Sequence, residues 1–224
     1  MATSEPLVDE STGSFYPVLQ QGSGLADVAD AIAAGSYILM DKNTTSGAED
    51  GKVKVELGDD PAKDGVYNFG FTIHNFSDQD KSYSLSSDFF TQGLYELEGQ
   101  TFHGNYTVDL PVDAAYTVGS ESLAVSSALD CDLNGDGLTD KADAQVILEH
   151  AAGNVATVDA KGDLNGDGQI NSFDAHLILA SLKSASFTVE AGSEIHVQVQ
   201  LTLTDKAALD AYVNGAYIEG FVNV

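Results

Sequence analysis

Apolar and polar residues alternate along five stretches of the chain: Val53-Val55-Leu57, Phe69-Phe71-Ile73, Tyr83-Leu85, and, after a long interval, Phe187-Val189 and Ile195-Val197-Val199-Leu201-Leu203. A period of two marks antiparallel strands with one face in a core and the other in water. Gly, Asn and Asp clusters separate these runs, so the strands predict an all-β antiparallel sandwich. Between the two groups the period changes. Ala142 to Ala152 and Ser172 to Leu182 carry apolar residues three and four apart, which predicts two helices with inward stripes at Ala144, Ile147 and Ala151 and at Ala175, Ile178 and Leu182. The stretch after Lys183 has only three convincing strands, too few for a sandwich of its own. The economical reading is one sandwich, residues 41–127 and 186–224, with a small all-α module, residues 128–185, inserted in one loop, and residues 1–40 standing before both. Domains whose termini lie close together accept insertion.

Each predicted helix follows an acidic loop, and the loops are copies. Asp132-Leu-Asn134-Gly-Asp136-Gly137-Leu138-Thr-Asp140-Lys-Ala-Asp143 recurs as Asp163-Leu-Asn165-Gly-Asp167-Gly168-Gln169-Ile-Asn171-Ser-Phe-Asp174. Calcium takes six to eight oxygen ligands, and a twelve-residue loop supplies them from positions 1, 3, 5, 7 and 12, with position 9 often acting through water. In the first copy Asp132, Asn134 and Asp136 offer side-chain oxygens, Leu138 a carbonyl, Asp140 the water-mediated place and Asp143 the closing carboxylate. In the second the same places fall to Asp163, Asn165, Asp167, Gln169, Asn171 and Asp174. Gly137 and Gly168 stand at position 6, where the loop turns sharply. Thr139 and Ile170, at position 8, are β-branched and suit a short strand pairing the two loops. A single copy could be an ordinary surface turn; two matching copies predict two bound Ca2+.

The closing residue is Asp where an EF-hand has a bidentate Glu, and no long amphipathic helix leads into either loop, since Ser120 to Leu129 is Ser-rich and poorly periodic. Loop-then-helix, twice, with Asp at position 12, resembles the dockerin module of cellulosome-type assemblies, over about residues 128 to 185. The resemblance implies a module that folds with its calcium and binds a cohesin domain on a scaffolding protein. It also implies partner contacts at loop positions 10 and 11 and along the following helix: Lys141, Ala142, Gln145, Leu148 and Glu149 in the first repeat, and Ser172, Phe173, His176, Leu179 and Ala180 in the second. Phe173 lies between two ligand positions, so its ring is either an interface anchor or folded onto its own helices. Because Lys141-Ala142 and Ser172-Phe173 differ in size and charge, one docking orientation is expected, with the second repeat leading.

The flanks carry a second resemblance. Asn75-Phe-Ser77-Asp78 with Lys81-Ser-Tyr83, Phe187-Thr-Val189-Glu-Ala-Gly192, and Asn214-Gly215-Ala-Tyr217-Ile-Glu219-Gly220-Phe221-Val222 are similar to the fibronectin type III-like domain after the catalytic domain of subtilisin-like cell-envelope proteases. Gln21-Gly22-Ser-Gly24-Leu25-Ala-Asp27-Val28-Ala-Asp-Ala31 resembles the closing helix of that catalytic domain, which would make residues 1–40 its C-terminal remnant. Serine protease chemistry needs a nucleophile, a His base and an orienting Asp. That family's Gly-Thr-Ser segment does not occur here, and His103-Gly104-Asn105 is the nearest approach to its His-Gly-Thr segment. His74 and His196 sit in strand patterns. A non-catalytic piece of a larger secreted protease is expected.

Charge narrows the partners. Nine basic residues against 35 acidic give a net charge of −26 over 224 residues, which opposes binding to nucleic acid or an anionic membrane. The one cysteine, Cys131, excludes an internal disulfide framework; it reads as a small residue beside the first ligand, with an adventitious dimer as the outcome if its thiol is exposed. No apolar run is long enough to span a membrane, and Met1-Ala2-Thr3 looks like an expression start rather than a signal peptide, so an extracellular, scaffold-attached location follows from the resemblance alone. Three functions compete: a calcium-dependent adaptor docking on a cohesin, a calcium-dependent stability element without a partner, and a carbohydrate-binding sandwich. The last lacks Trp and would have to use Tyr95, Tyr106 and Tyr116 as sugar platforms.

Overall fold

The computed structural model describes residues 3–42, 54–213 and 215–224. In chain order the elements are β1 (Ser4–Glu5), α1 (Val18–Gln21), β2 (Leu25–Ala26), α2 (Val28–Ala33), β3 (Ser36–Met40), β4 (Val66–Asn75), β5 (Lys81–Tyr83), β6 (Ser86–Leu97), β7 (Gln100–Asp109), β8 (Val112–Val118), β9 (Glu121–Leu123) and β10 (Val125–Ser126). Then follow α3 (Lys141–Ala151), α4 (Ser172–Ala180), β11 (Lys183–Ser184), β12 (Phe187–Val189), β13 (Glu194–Leu203) and β14 (Glu219–Asn223). The chain divides into two compact units: Met1–Tyr83, Ser87–Ser122 and Phe187–Val224 form one, and Ser84–Ser86 with Leu123–Ser186 the other.

The first unit is built on a five-stranded sheet in the order β3-β4-β13-β8-β9. Along β13 the period of two is complete: Val197, Val199, Leu201 and Leu203 are buried while Glu194, His196 and Gln200 face solvent. The antiparallel register sets Val197 between Phe71 and Val118, and Val199 between Phe69 and Tyr116. Rows of apolar side chains across neighbouring strands are what hold such a sheet together. Val199 is fully buried, so Val199→Ala removes about two methylene equivalents and leaves a cavity; a loss of about 2 kcal/mol in urea unfolding is expected.

On the polar face His74 pairs with Glu194 at 2.9 Å and His196 with Asp41 at 2.8 Å. Asn75, buried at the end of β4, donates from Nδ2 to the carbonyls of Gln79, Val189 and Glu190 and accepts from the Ser77 hydroxyl at 2.7 Å. The Asn75-Phe-Ser77 segment is thus a polar staple that fastens the β4–β5 turn to the end of β12, and burying the amide costs little because its hydrogen bonds are made.

A three-stranded sheet, β14-β6-β7, and the two-stranded pairs β1-β2 and β12-β5 accompany the five-stranded sheet. The β6–β7 hairpin escapes the alternation rule because glycines interrupt both strands. The Tyr106 ring lies where a Cβ on Gly93 or Gly104 would be, 2.1 Å and 2.5 Å from those positions, an aromatic covering two glycines across a strand pair. Mostly antiparallel sheets with one face buried and few helices are consistent with a β-sandwich.

Several expectations are corrected here. Lys54 to Leu57 form no strand, and Val53 lies outside the described residues. Ser36–Met40 is an edge strand of the large sheet, paired with β4 from Ser36↔Asn75 to Met40↔Phe71. Gln21 to Ala31 is not one helix: it spans the end of α1, a short strand and the start of α2. Gly24 breaks it, with φ of +93° and the Glu5 carbonyl 2.0 Å from where a Cβ would be, a place only glycine occupies. Among the tyrosines offered as sugar platforms, Tyr116 is buried and Tyr106 covers glycines; Tyr95 is half exposed and stacks on Phe102 at 5.6 Å. Asn214 lies outside the described residues, while the rest of its segment runs into β14.

The second unit opens and closes on a two-stranded ribbon, Val125↔Ser184 and Ser126↔Lys183, between β10 and β11. That ribbon brings the two ends of the inserted segment side by side. Its core is Cys131, Ala144, Ile147, Ala175 and Ile178, with Leu133, Leu164, Ile170 and Leu182 packed against it. α4 stops at Ala180, where Ser181 turns its hydroxyl onto the Leu177 carbonyl at 2.8 Å, yet Leu182 still reaches the core. Ala151 does not: it is exposed, as the last residue of α3. Cys131 is fully buried, which removes the exposed-thiol alternative. Thr139 and Ile170 form no strand. Thr139 turns inward instead, its hydroxyl accepting from the Cys131 N–H at 2.9 Å.

Candidate metal centre

Both loops fold by the same hydrogen bonds, because the same residue types recur at the same places. The position-1 carboxylate bridges the turn: Asp132 accepts from Gly135 N–H at 2.6 Å and Gly137 N–H at 3.0 Å, and Asp163 from Gly166 and Gly168 at 2.8 Å each. Asn134 and Asn165 accept from the amides of Asp136 and Asp167, at 2.9 Å in each loop. Asp136 and Asp167 in turn accept from Leu138 N–H at 2.9 Å and Gln169 N–H at 2.8 Å. Gly137 and Gly168 have φ of +93° and +83°, the left-handed conformation that the sharp turn at position 6 requires.

Position 12 closes each loop from inside the helix that follows. Asp143 accepts from Leu133 N–H at 2.7 Å, Asn134 N–H at 3.1 Å and Asp140 N–H at 2.8 Å. Asp174 repeats this with Leu164, Asn165 and Asn171 at 2.9, 3.3 and 2.9 Å. Both carboxylates are fully buried. Asp140 and Asn171, at position 9, also cap α3 and α4 by accepting from Ala142 N–H and Phe173 N–H, so each loop and its helix share a capping box.

Two charges act on this region. Hydrogen bonds from Gly135 and Gly137, helped by the Lys161 ammonium, hold the Asp132 carboxyl below the usual carboxylate range. Burial, and then the neighbouring Asp143 carboxylate, push the Cys131 thiol up, so it behaves as a small apolar core residue.

The donor set fits a hard cation. The first loop offers four carboxylates and one amide oxygen, the second three carboxylates and two amide oxygens, and each adds one backbone carbonyl, with no sulfur or imidazole, the chemistry that suits Ca2+. A buried carboxylate supplied only with N–H partners is costly in an interior, and a cation among the loop oxygens would offset that cost. Among the described residues no three acidic, histidine or cysteine side chains close up on one point; the loop carboxylates each turn to N–H groups of their own loop.

Residues 130–183 match the family model of the dockerin type I domain. No curated protein matches the chain. Dockerin domains in general bind calcium and dock on cohesins in extracellular, cellulosome-type assemblies, and no described helix of this chain is long and apolar enough to cross a membrane.

On the dockerin module the outward residues are those after each loop. Lys141, Ala142, Gln145, Leu148, Ser172, Phe173, His176, Leu179 and Ala180 are exposed, and Glu149 is half-buried. Phe173 is 52% exposed, with the His176 ring 6.3 Å away, and does not fold onto the helical core. Glu149 is held by Gln145 at 2.7 Å and Asn154 at 2.6 Å. The signal that sequence reasoning missed is Lys161, whose ammonium donates to the backbone carbonyl of Asp132 across the repeat boundary. A lone lysine before a loop has no periodic or motif context to single it out.

His103 sits exposed on β7, with its ring 5.9 Å from that of Tyr212.

Proposed function

We propose that this chain is a calcium-dependent adaptor that binds two Ca2+, one per loop, and docks a secreted protease onto a cohesin of a scaffolding protein. The observation that carries the reading is the pair of loops with matched hydrogen bonding, each closed by a buried carboxylate and each followed by a helix whose outer face keeps apolar residues in water. Asp132, Asn134, Asp136, Leu138, Asp140 and Asp143 would hold one ion, and Asp163, Asn165, Asp167, Gln169, Asn171 and Asp174 the other. Bound calcium supplies positive charge that draws the loop oxygens together. The protein's own residues then set the angle between α3 and α4 and the placing of Phe173, Leu179 and Leu148.

The sheets are, on this reading, a fibronectin type III-like accessory domain of a subtilisin-like protease, and the chain as given is a non-catalytic part of it. The motif residues support that assignment by having identifiable structural work, with Asn75 stapling a turn and Glu219 accepting from Val18 N–H at 2.5 Å. Calorimetric titration with a panel of cohesins, in calcium and then in excess chelator, tests the adaptor reading. One-to-one binding lost with chelator supports it; two bound calcium ions without binding to any cohesin would leave a stability element only.

Phe173→Asp should weaken cohesin binding ten-fold or more, on the ~2 kcal/mol scale of an exposed aromatic anchor, with calcium stoichiometry unchanged. Unaltered affinity would reject an orientation in which the second repeat leads.

A further inference from the structure

We infer that Lys161 is a resident cation of the first loop that competes with calcium there and has no counterpart at the second; this rests on the reading of both loops as calcium sites. A step of 31 residues separates Asp132 from Asp163, so the position equivalent to Lys161 in the first repeat is Asp130, of opposite charge. Lys161 is placed, not merely nearby. It lies in the short turn Ala160–Gly162, where the Asp159 carboxylate accepts from its backbone N–H at 3.0 Å. The turn is seated by Gly162, which is buried with Ile170 and Val158 against it. From there the ammonium reaches the carbonyl of Asp132, the first residue of the other loop.

The first loop needs such a cation more than the second does. Position 9 is Asp140 in the first and Asn171 in the second, so the first gathers four carboxylates and the second three. Like charges in one loop repel, and a lysine at its edge reduces that repulsion whether or not calcium is bound. A divalent ion arriving beside an ammonium is opposed by it, more weakly as salt rises. Lys161 therefore trades calcium affinity at the first loop for order in its absence, and joins the two repeats while doing so.

The position-6 glycines give a separate signal for each loop, because their N–H groups donate to the position-1 carboxylates, Gly137 to Asp132 and Gly168 to Asp163. The whole chain is titrated with Ca2+ and both amides are followed by NMR, in the wild type, Lys161→Met and Lys161→Arg. Lys161→Met should tighten the Gly137 site about five-fold at low salt and leave the Gly168 site unchanged, and Lys161→Arg should behave as the wild type. A Gly137 site that is unchanged or weakened in Lys161→Met overturns the inference, since a purely structural staple would lose affinity when cut. If Lys161→Met does not fold, the unaltered protein decides: the Lys161 side-chain Cε resonance should move as the Gly137 site fills and stay still as the Gly168 site fills, and the reverse overturns it. Neither glycine responding to Ca2+ would instead defeat the calcium reading itself, independently of any cohesin result.

Discussion

Chelating calcium is expected to unfold the dockerin module while the sheets survive, and to abolish cohesin binding. The apolar core between the two loops and helices is a cluster of five buried residues, Cys131, Ala144, Ile147, Ala175 and Ile178, with Leu133, Leu164, Ile170 and Leu182 partly buried against it, too little apolar area for a module of this size to stand alone. Two carboxylates, Asp143 and Asp174, are buried within it, and burial of a charge is unfavourable without a cation or a full set of hydrogen bonds. A ligand that binds only the folded form stabilises it by about 4 kcal/mol at a thousand times its Kd, and two sites contribute twice over. Helical circular dichroism should therefore fall on adding chelator and return with Ca2+, as metal binding and folding become one equilibrium. Amide exchange should rise over α3 and α4 and stay slow over β4, β8 and β13. Helices that persist in chelator would show that the module folds on packing alone.

Replacing one closing carboxylate should be nearly as severe and confined to one site. Asp174→Ala removes an acceptor from three backbone N–H groups, those of Leu164, Asn165 and Asn171, and deletes the ligand that links loop to helix. Leaving a buried N–H unpaired costs about 1–3 kcal/mol, and these three are partly buried, so with the ligand lost as well calcium affinity at the second loop should fall a hundred-fold or more, about 2.7 kcal/mol. Calorimetry should count one tight Ca2+ in place of two. Because Phe173 stands next to Asp174, cohesin binding should fall with it, and further than for Asp143→Ala in the first repeat. Equal losses from the two variants would mean that both repeats contribute alike to docking.

How much could be read in advance differs between the parts of the chain, and particular residues show why. The loops were legible because calcium chemistry is local: it requires oxygen donors at fixed intervals and a glycine at the turn, and Asp132 to Asp143 and Asp163 to Asp174 satisfy both within twelve residues. β13 was legible because a half-buried strand must alternate. The β6–β7 hairpin was not, since Gly93 and Gly104 interrupt its pattern and are made good by Tyr106, a partner that pairing alone brings into place. Ser36–Met40 reads as part of an N-terminal remnant until its pairing with β4 is seen. Ala151 falls on the inward stripe of an ideal helix, yet as the last residue of α3 it is exposed.

By itself the sequence determined the twin loops with their oxygen donors, the two helices that follow them, the main alternating strands and a strongly acidic surface, because each depends on spacing along a few residues. Only the tertiary structure decided that Cys131 is core, that Phe173 is turned to water, that Tyr116 is withdrawn from it, and that Lys161 reaches the opposite loop. Those outcomes depend on what packs against each side chain from distant parts of the chain, and no local pattern encodes that.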